Sequence, residues 1–241
     1  MCPRYEVFEL KTLALGLALT AGLSGSAGRG DYPIYCGGHV GRYVALTFDD
    51  GPGTTTPQVV RILRRYHARA TFFVLGKNVQ GRAALLRHEK ELGEVGNHSW
   101  SHPDLSKYSA AGVQQQLSST QAAIKGAGVP RPTVFRPPYG ATNATVGAQA
   151  KALGLKTILW SIDSYDSRGY STVAISHTVL KLVQPGAIIL MHDVIPATAR
   201  ALPRILRILE ARKFTLVTVS ELLKRDPASL TQLKQGFQGC Y

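Results

Sequence analysis

Two adjacent carboxylates, Asp49 and Asp50, are followed at once by Gly51-Pro52-Gly53. Neighbours on a strand point to opposite faces, so both can serve one site only where the strand turns, and the glycine–proline run supplies that turn. Such a pair can divide two tasks, ligating a cation and accepting a proton. His98 and His102 stand four residues apart. In a helical turn that spacing aims both rings the same way, the geometry for clamping one ion. Asp50, His98 and His102 together make a carboxylate and two-imidazole set, which leaves coordination positions open as catalytic zinc sites do.

Three further positions complete a hydrolytic set. Arg136 precedes Pro137-Pro138; the prolines stiffen the turn, and a fixed guanidinium can fork onto a carboxylate and keep it ionised. Tyr139 beside it can stack on a sugar or turn its backbone N–H toward an oxyanion. His192 follows the apolar run Ala187-Ile188-Ile189-Leu190-Met191. An imidazolium at a strand end donates to a leaving group if a carboxylate raises its pKa, and Asp163 or Asp166 can be that carboxylate. Each residue alone has a plainer explanation: Asp-Asp-Gly is a common helix cap, one histidine of a pair is often in the core, and a loop arginine is often solvated. Of the seven histidines, His39, His67, His88 and His177 have no partner at ligand spacing. The ordered set of five motifs, Thr47–Pro52, His98–Pro103, Arg136–Gly140, Asp163–Asp166 and Leu190–Asp193, is far harder to reach by chance.

The elements that must hold these motifs alternate. Strand-like Tyr43–Phe48, Ala70–Leu75, Thr133–Phe135, Thr157–Ile162, Ala187–Met191 and Phe214–Val219 are separated by helical patterns at 56–67, 82–92, 110–125, 142–153, 172–182 and 199–212. A last helix opens at Ser220–Lys224. That is about seven strand–helix units, the pattern of parallel strands with crossover helices. Every motif falls where a strand ends, the face at which active sites collect in a (β/α) barrel.

The chain has 241 residues, 44% of them hydrophobic, and a formal net charge of +13. That length suits one large domain with a full core. The basic residues are scattered and come with no nucleic-acid motif, so a solvated face is expected, with a polyanion such as a wall polymer second. Residues 12–23 form an uncharged apolar run too short to span a bilayer comfortably, followed by small residues, the shape of a signal peptide cleaved near Ala27. The expected organisation is a leader at 1–27 and a single domain at 28–241. Cys36 and Cys240 then stand at the two ends of the mature chain. One disulfide between them is the natural pairing in an oxidising compartment, with two buried thiols the alternative.

With these motifs in view, the chain resembles the NodB-like polysaccharide deacetylases, carbohydrate esterase family four, over roughly Tyr43 to Leu222. The resemblance implies an α/β fold, a distorted (β/α)7 barrel, and one divalent metal, zinc first, with cobalt or another transition metal as alternatives. It implies that Asp49 is the catalytic base, that Asp50, His98 and His102 hold the metal, and that Arg136 tethers the base. It makes His192 the acid, supported by Asp166. Tyr139, Leu190 and Trp100 fall on the substrate side, with Tyr139 offering its N–H to the oxyanion and Leu190 lining the acetyl pocket. One departure stands out: the fourth motif usually ends in Asp-Trp and here ends in Asp166-Ser167, which opens one wall of that pocket unless Trp160 or Tyr165 replaces the indole.

The activity implied is removal of N-acetyl groups from β-1,4-linked amino-sugar chains, in chitin fragments or peptidoglycan, by a secreted or wall-associated enzyme. An O-acetylxylan esterase with the same site is the second reading. A non-catalytic carbohydrate binder is the third, and it has no use for Asp49 and His192. The expected partner is an acetylated polysaccharide; nucleic acid, a stable membrane anchor and a second subunit are not expected.

Overall fold

Strands that are buried along their length and helices with one apolar stripe build this molecule unit by unit. The computed structural model describes residues 32–241; the apolar run at 12–23 and the expected cleavage point lie outside the described residues. The strands are β1 (Tyr43–Asp49), β2 (Ala70–Val74), β3 (Gly93–Asn97), β4 (Val134–Phe135), β5 (Lys156–Thr157), β6 (Ile162–Asp163), β7 (Ile188–His192) and β8 (Thr215–Leu216). The helices are α1 (Thr56–Arg65), α2 (Gly76–Val79), α3 (Ala83–Leu92), α4 (Ala110–Gly126), α5 (Ala144–Ala152), α6 (Thr172–Leu182), α7 (Pro196–Ala211), α8 (Val219–Arg225) and α9 (Leu230–Gln235).

All strand pairings are parallel, in the order β5-β4-β3-β2-β1-β7-β6, with β8 against the first two residues of β1. The sheet curls into the expected distorted (β/α)7 barrel. Its main apolar cluster joins β1, β2 and β7 to the inner stripes of α1, α3, α6 and α7. Pro57 sits in the first turn of α1, where its missing N–H costs nothing.

The strand expected at Thr157–Ile162 is split. Its first half, β5, pairs with β4, and its second half, β6, pairs with β7, so one segment of chain joins the two edges of the sheet. Between them Ile158 and Ser161 still donate their N–H groups to the Phe135 and Ile188 carbonyls, at 2.8 and 3.0 Å. Ile34 donates its N–H to the Thr157 carbonyl at 2.9 Å and accepts from the Leu159 N–H at 2.7 Å. The carbonyls of Ile158 and Leu159 accept from the Arg136 guanidinium at 3.4 and 2.9 Å. Buried backbone groups need partners, and at this seam a side chain supplies two of them.

The expected disulfide is formed. Cys36 and Cys240 are joined across 204 residues, with Cα atoms 5.9 Å apart. The C-terminal segment carries α9, started by a capping box in which Ser229 and Gln232 satisfy each other's backbone N–H groups. The expected strand Phe214–Val219 shortens to β8, because Thr218 caps α8 in a second capping box with Glu221.

Candidate active site

Register sets the first layer of the site. Asp49 closes β1, level with Phe73 on β2 and His192 on β7. It is 3% exposed. Its Oδ1 accepts from Arg136 Nη1 at 2.8 Å, and its Oδ2 stands 3.7 Å from His98 Nε2. Thr47 lies one layer below on the same face; its hydroxyl accepts from Arg136 Nη1 at 2.7 Å and donates to the Ile189 carbonyl at 2.6 Å. The fully buried guanidinium lies 4.3 Å from the Phe73 ring centre and 5.6 Å from that of Trp160. Burial pushes the Asp49 carboxyl above its ordinary value, and the charges of Arg136, His192 and His102 oppose the rise.

Asp50 takes a positive φ of 74°, and that reversal turns its carboxylate toward a separate group. Its Oδ1 lies 3.6 Å from His98 Nε2 and 3.5 Å from His102 Nε2. That oxygen is buried and has no hydrogen-bond partner. His98 Nδ1 stands 2.7 Å from the Arg136 carbonyl, which fixes the proton on Nδ1 and leaves the Nε2 lone pair facing Asp50. Burial draws the His98 pKa down to about 3 against the pull of Asp50, so the ring is neutral, the form that ligates. Ligands about 2.1 Å from a zinc ion at tetrahedral angles lie about 3.4 Å apart, close to the separations found here. The orphaned oxygen, the oriented imidazole and the donor set fit a divalent cation.

The helical turn expected at 98–102 is absent. Ser99 and His102 both adopt positive φ, at 69° and 67°. Buried Asn97 accepts from the Ser99 N–H at 2.9 Å, and the Ser99 hydroxyl accepts from the His102 N–H at 3.0 Å. This side-chain-bonded loop brings the two rings to a centroid distance of 5.0 Å, where a helix had been expected to do so.

Across the site, His192 Nδ1 pairs with Asp166 Oδ1 at 2.8 Å, and Asp166 Oδ2 accepts from the His192 N–H at 2.8 Å. Thr198 at the start of α7 donates its hydroxyl to the same oxygen at 2.5 Å. Burial alone would lower the His192 pKa. The Asp166 hydrogen bond and charge, with Asp49 and Asp50, outweigh it and raise His192 to about 9. Asp163, the other candidate carboxylate, instead accepts from the Tyr165 N–H at 2.8 Å and holds its own turn.

Leu190 lies one layer beneath His192, in register with Thr47, and is buried. Tyr139 is 70% exposed and packs edge-on to His102 at 4.6 Å. Trp100 is half-buried, and its indole covers Gly76, where a Cβ would meet it at 2.4 Å. Ser167 is exposed, with its N–H on Asp166 Oδ1. Tyr165 packs against Tyr170 with ring centres 5.3 Å apart and planes tilted by 49°. Trp160 backs the Arg136 turn.

Four supporting residues escaped the sequence reading. Thr47 was findable, since strand alternation puts it on the face of Asp49. Thr198, Asn78, which donates to the Asp50 carbonyl at 2.7 Å, and Asp193 carry no sequence signal of their role. Asp193 is fully buried behind the turn and accepts from the Thr56 hydroxyl. A Cβ at Gly51 would stand 2.5 Å from its Oδ2, which explains the glycine.

A family model described as polysaccharide deacetylase matches residues 37–158. The chain belongs to the polysaccharide deacetylase family. Among members of this family, a bifunctional xylanase/xylan deacetylase of Cellvibrio japonicus is 42% identical over 158 residues, 65% of this chain and 24% of that protein. A peptidoglycan-N-acetylglucosamine deacetylase of Listeria monocytogenes is 42% identical over 181 residues, 74% of this chain and 38% of that protein. The chain therefore spans well under half of either deacetylase. A solved family 4 carbohydrate esterase of Streptomyces lividans, in complex with acetate, is 40% identical, with a TM-score of 0.69 over 76% of this chain and 92% of that one.

Proposed function

We propose that this protein is a metal-dependent deacetylase that hydrolyses the N-acetyl groups of β-1,4-linked GlcNAc-containing chains, chitooligosaccharide or peptidoglycan, outside the cell. The observation that carries the reading is that two proton-handling pairs, Asp49–Arg136 and His192–Asp166, share one layer of strand ends with the Asp50, His98 and His102 cluster. Asp50, His98 and His102 hold the cation, zinc by ligand type. When bound, the cation supplies Lewis acidity that polarises the acetyl carbonyl and makes water more acidic.

The side chains perform the remaining chemistry. Asp49 accepts the proton of the attacking water, and Arg136 fixes the carboxylate's direction. The Tyr139 backbone N–H offers the oxyanion a donor. His192, protonated at neutral pH, gives a proton to the departing amine through Nε2, because Nδ1 is held by Asp166. Leu190 floors the acetyl pocket, and Trp100 lines the approach. The amine favours an amide substrate, since it leaves poorly without that proton. An acetylated xylan is the second reading, supported by the Cellvibrio relative. The disulfide supports an oxidising compartment, and no helix among the described residues is long and apolar enough to cross a membrane.

The test is acetate release from chitooligosaccharides, peptidoglycan and acetylxylan side by side. Chelation should abolish it and zinc or cobalt restore it. Asp49→Asn should keep the metal and lose most turnover, whereas His98→Ala should lose the metal. Full activity after exhaustive metal removal would overturn the proposal.

A further inference from the structure

Helices α1 and α7 pack against each other on the flank of the barrel. Their outward positions carry Arg61, Arg64 and Arg65 on α1 and Arg200, Arg204 and Arg207 on α7, all exposed. The spacing on α7 repeats at four and three residues, one helical face, and Arg200 to Arg207 spans about 10 Å along the axis. Neither helix contains a lysine, and Glu210 is their one acid. Among the described residues only Arg64 of the six has an ion pair, with Glu91 on α3. Solvated surfaces normally mix signs, so two neighbouring helices with six exposed arginines and one acid between them make a strongly one-sided field in the free protein.

We infer that this arginine face docks a flexible phosphodiester chain without bases, such as a polyol-phosphate polymer lying beside the substrate. Every cation there is the planar fork that suits phosphate oxygens. A lipid surface fits less well: interfacial helices bury aromatic or aliphatic side chains, and among the described residues no exposed large apolar residue lies on α1 or α7. Single-stranded nucleic acid fits less well too, because neither α1 nor α7 carries an aromatic side chain to stack a base. The face begins near the catalytic end. Thr56 and Thr198, at the starts of α1 and α7, bond Asp193 and Asp166. A polymer on this flank leaves the mouth above β1 and β7 open.

The test measures binding of a labelled synthetic poly(glycerol phosphate) by anisotropy between 50 and 300 mM salt, using the intact protein. Neutralising about five phosphates should give a log K against log salt slope of about −3.5. Arg200→Gln, Arg204→Gln and Arg207→Gln together should weaken binding at least tenfold and flatten the slope by about 2, each phosphate contributing about 0.7. Acetate release from a short soluble substrate should not change. Undiminished binding by the triple variant, its melting temperature intact, would overturn the inference. So would tighter arginine-dependent binding to duplex DNA or to phosphatidylglycerol vesicles. The binding readout does not need a deacetylated product, so it stands or falls apart from the proposed activity.

Discussion

Asp166→Asn removes the charge that keeps His192 protonated and should move the upper limit of the working pH range. In the native site, burial is outweighed by Asp166, Asp49 and Asp50, and His192 rises from 6.5 to about 9. That rise favours the imidazolium by about 3 kcal/mol, at 1.36 kcal/mol per pH unit. At pH 7.5 about 97% of the native rings carry the proton, whereas a ring at or below 6.5 carries it in about 10% or less. Loss of the acid form alone therefore costs about tenfold in kcat/KM, before any loss from ring misorientation. The alkaline limb of acetate release should move to lower pH, and the metal-free ring should titrate well below about 9. The linkage sign is fixed as well. A histidine raised in the fold lends stability that is full below 6.5 and is lost as pH rises through about 9, so native melting should fall over that window and the variant's should not. Acetate release across pH, with NMR titration of His192 in the metal-free protein, checks both. A midpoint that stays near 9 in Asp166→Asn would refute the reasoning.

Arg136→Met takes from buried Asp49 its one hydrogen-bonded ion-pair partner and should lower unfolding free energy in urea by about 3–5 kcal/mol; Arg136→Lys should recover only part of it, since an ammonium cannot reach Thr47, Asp49 and Leu159 in one geometry. Glu89 occupies the apolar stripe of α3 between Leu86 and Leu92, with neither carboxylate oxygen hydrogen-bonded. Burial and Asp193 hold it well above 4.5, so its ionisation opposes the fold as pH rises. Glu89→Leu should raise stability at pH 7 by about 1–3 kcal/mol, an advantage that shrinks toward pH 4 in parallel melts. Replacing Cys36 and Cys240 by serine opens a loop of 204 residues, for which chain entropy gives about 5 kcal/mol; denaturant midpoints of the oxidised and serine proteins measure it.

The candidate site was legible because each motif sits where a strand ends, and strand ends are set by local sequence. Asp49, Asp50, His98, His102, Arg136, Asp166 and His192 converge as their motifs imply. Details that depend on distant partners were not legible. The break between β5 and β6 is set by Ile34, more than a hundred residues upstream, and by a guanidinium on another turn. The loop joining His98 to His102 was misread because i, i+4 spacing suits a helix, whereas Asn97 and Ser99 bond its backbone into left-handed turns. The α9 helix could have been read, since Ser229 and Gln232 spell a capping box three residues apart. Asp193 could not, since nothing in a dipeptide His-Asp says which side chain faces the mouth and which faces the interior.

The seam of the barrel changes how a loss of activity would look in this lineage. Arg136 steers a carboxylate, but it also satisfies the backbone of the chain that joins the two sheet edges. A descendant that abandoned hydrolysis would be free to discard Asp49 or His192, whereas discarding the arginine would leave two interior carbonyls orphaned. Its presence in a sequence therefore speaks first for the joined seam, and a survey that counts it among the marks of a working enzyme will mistake retired catalysts for active ones.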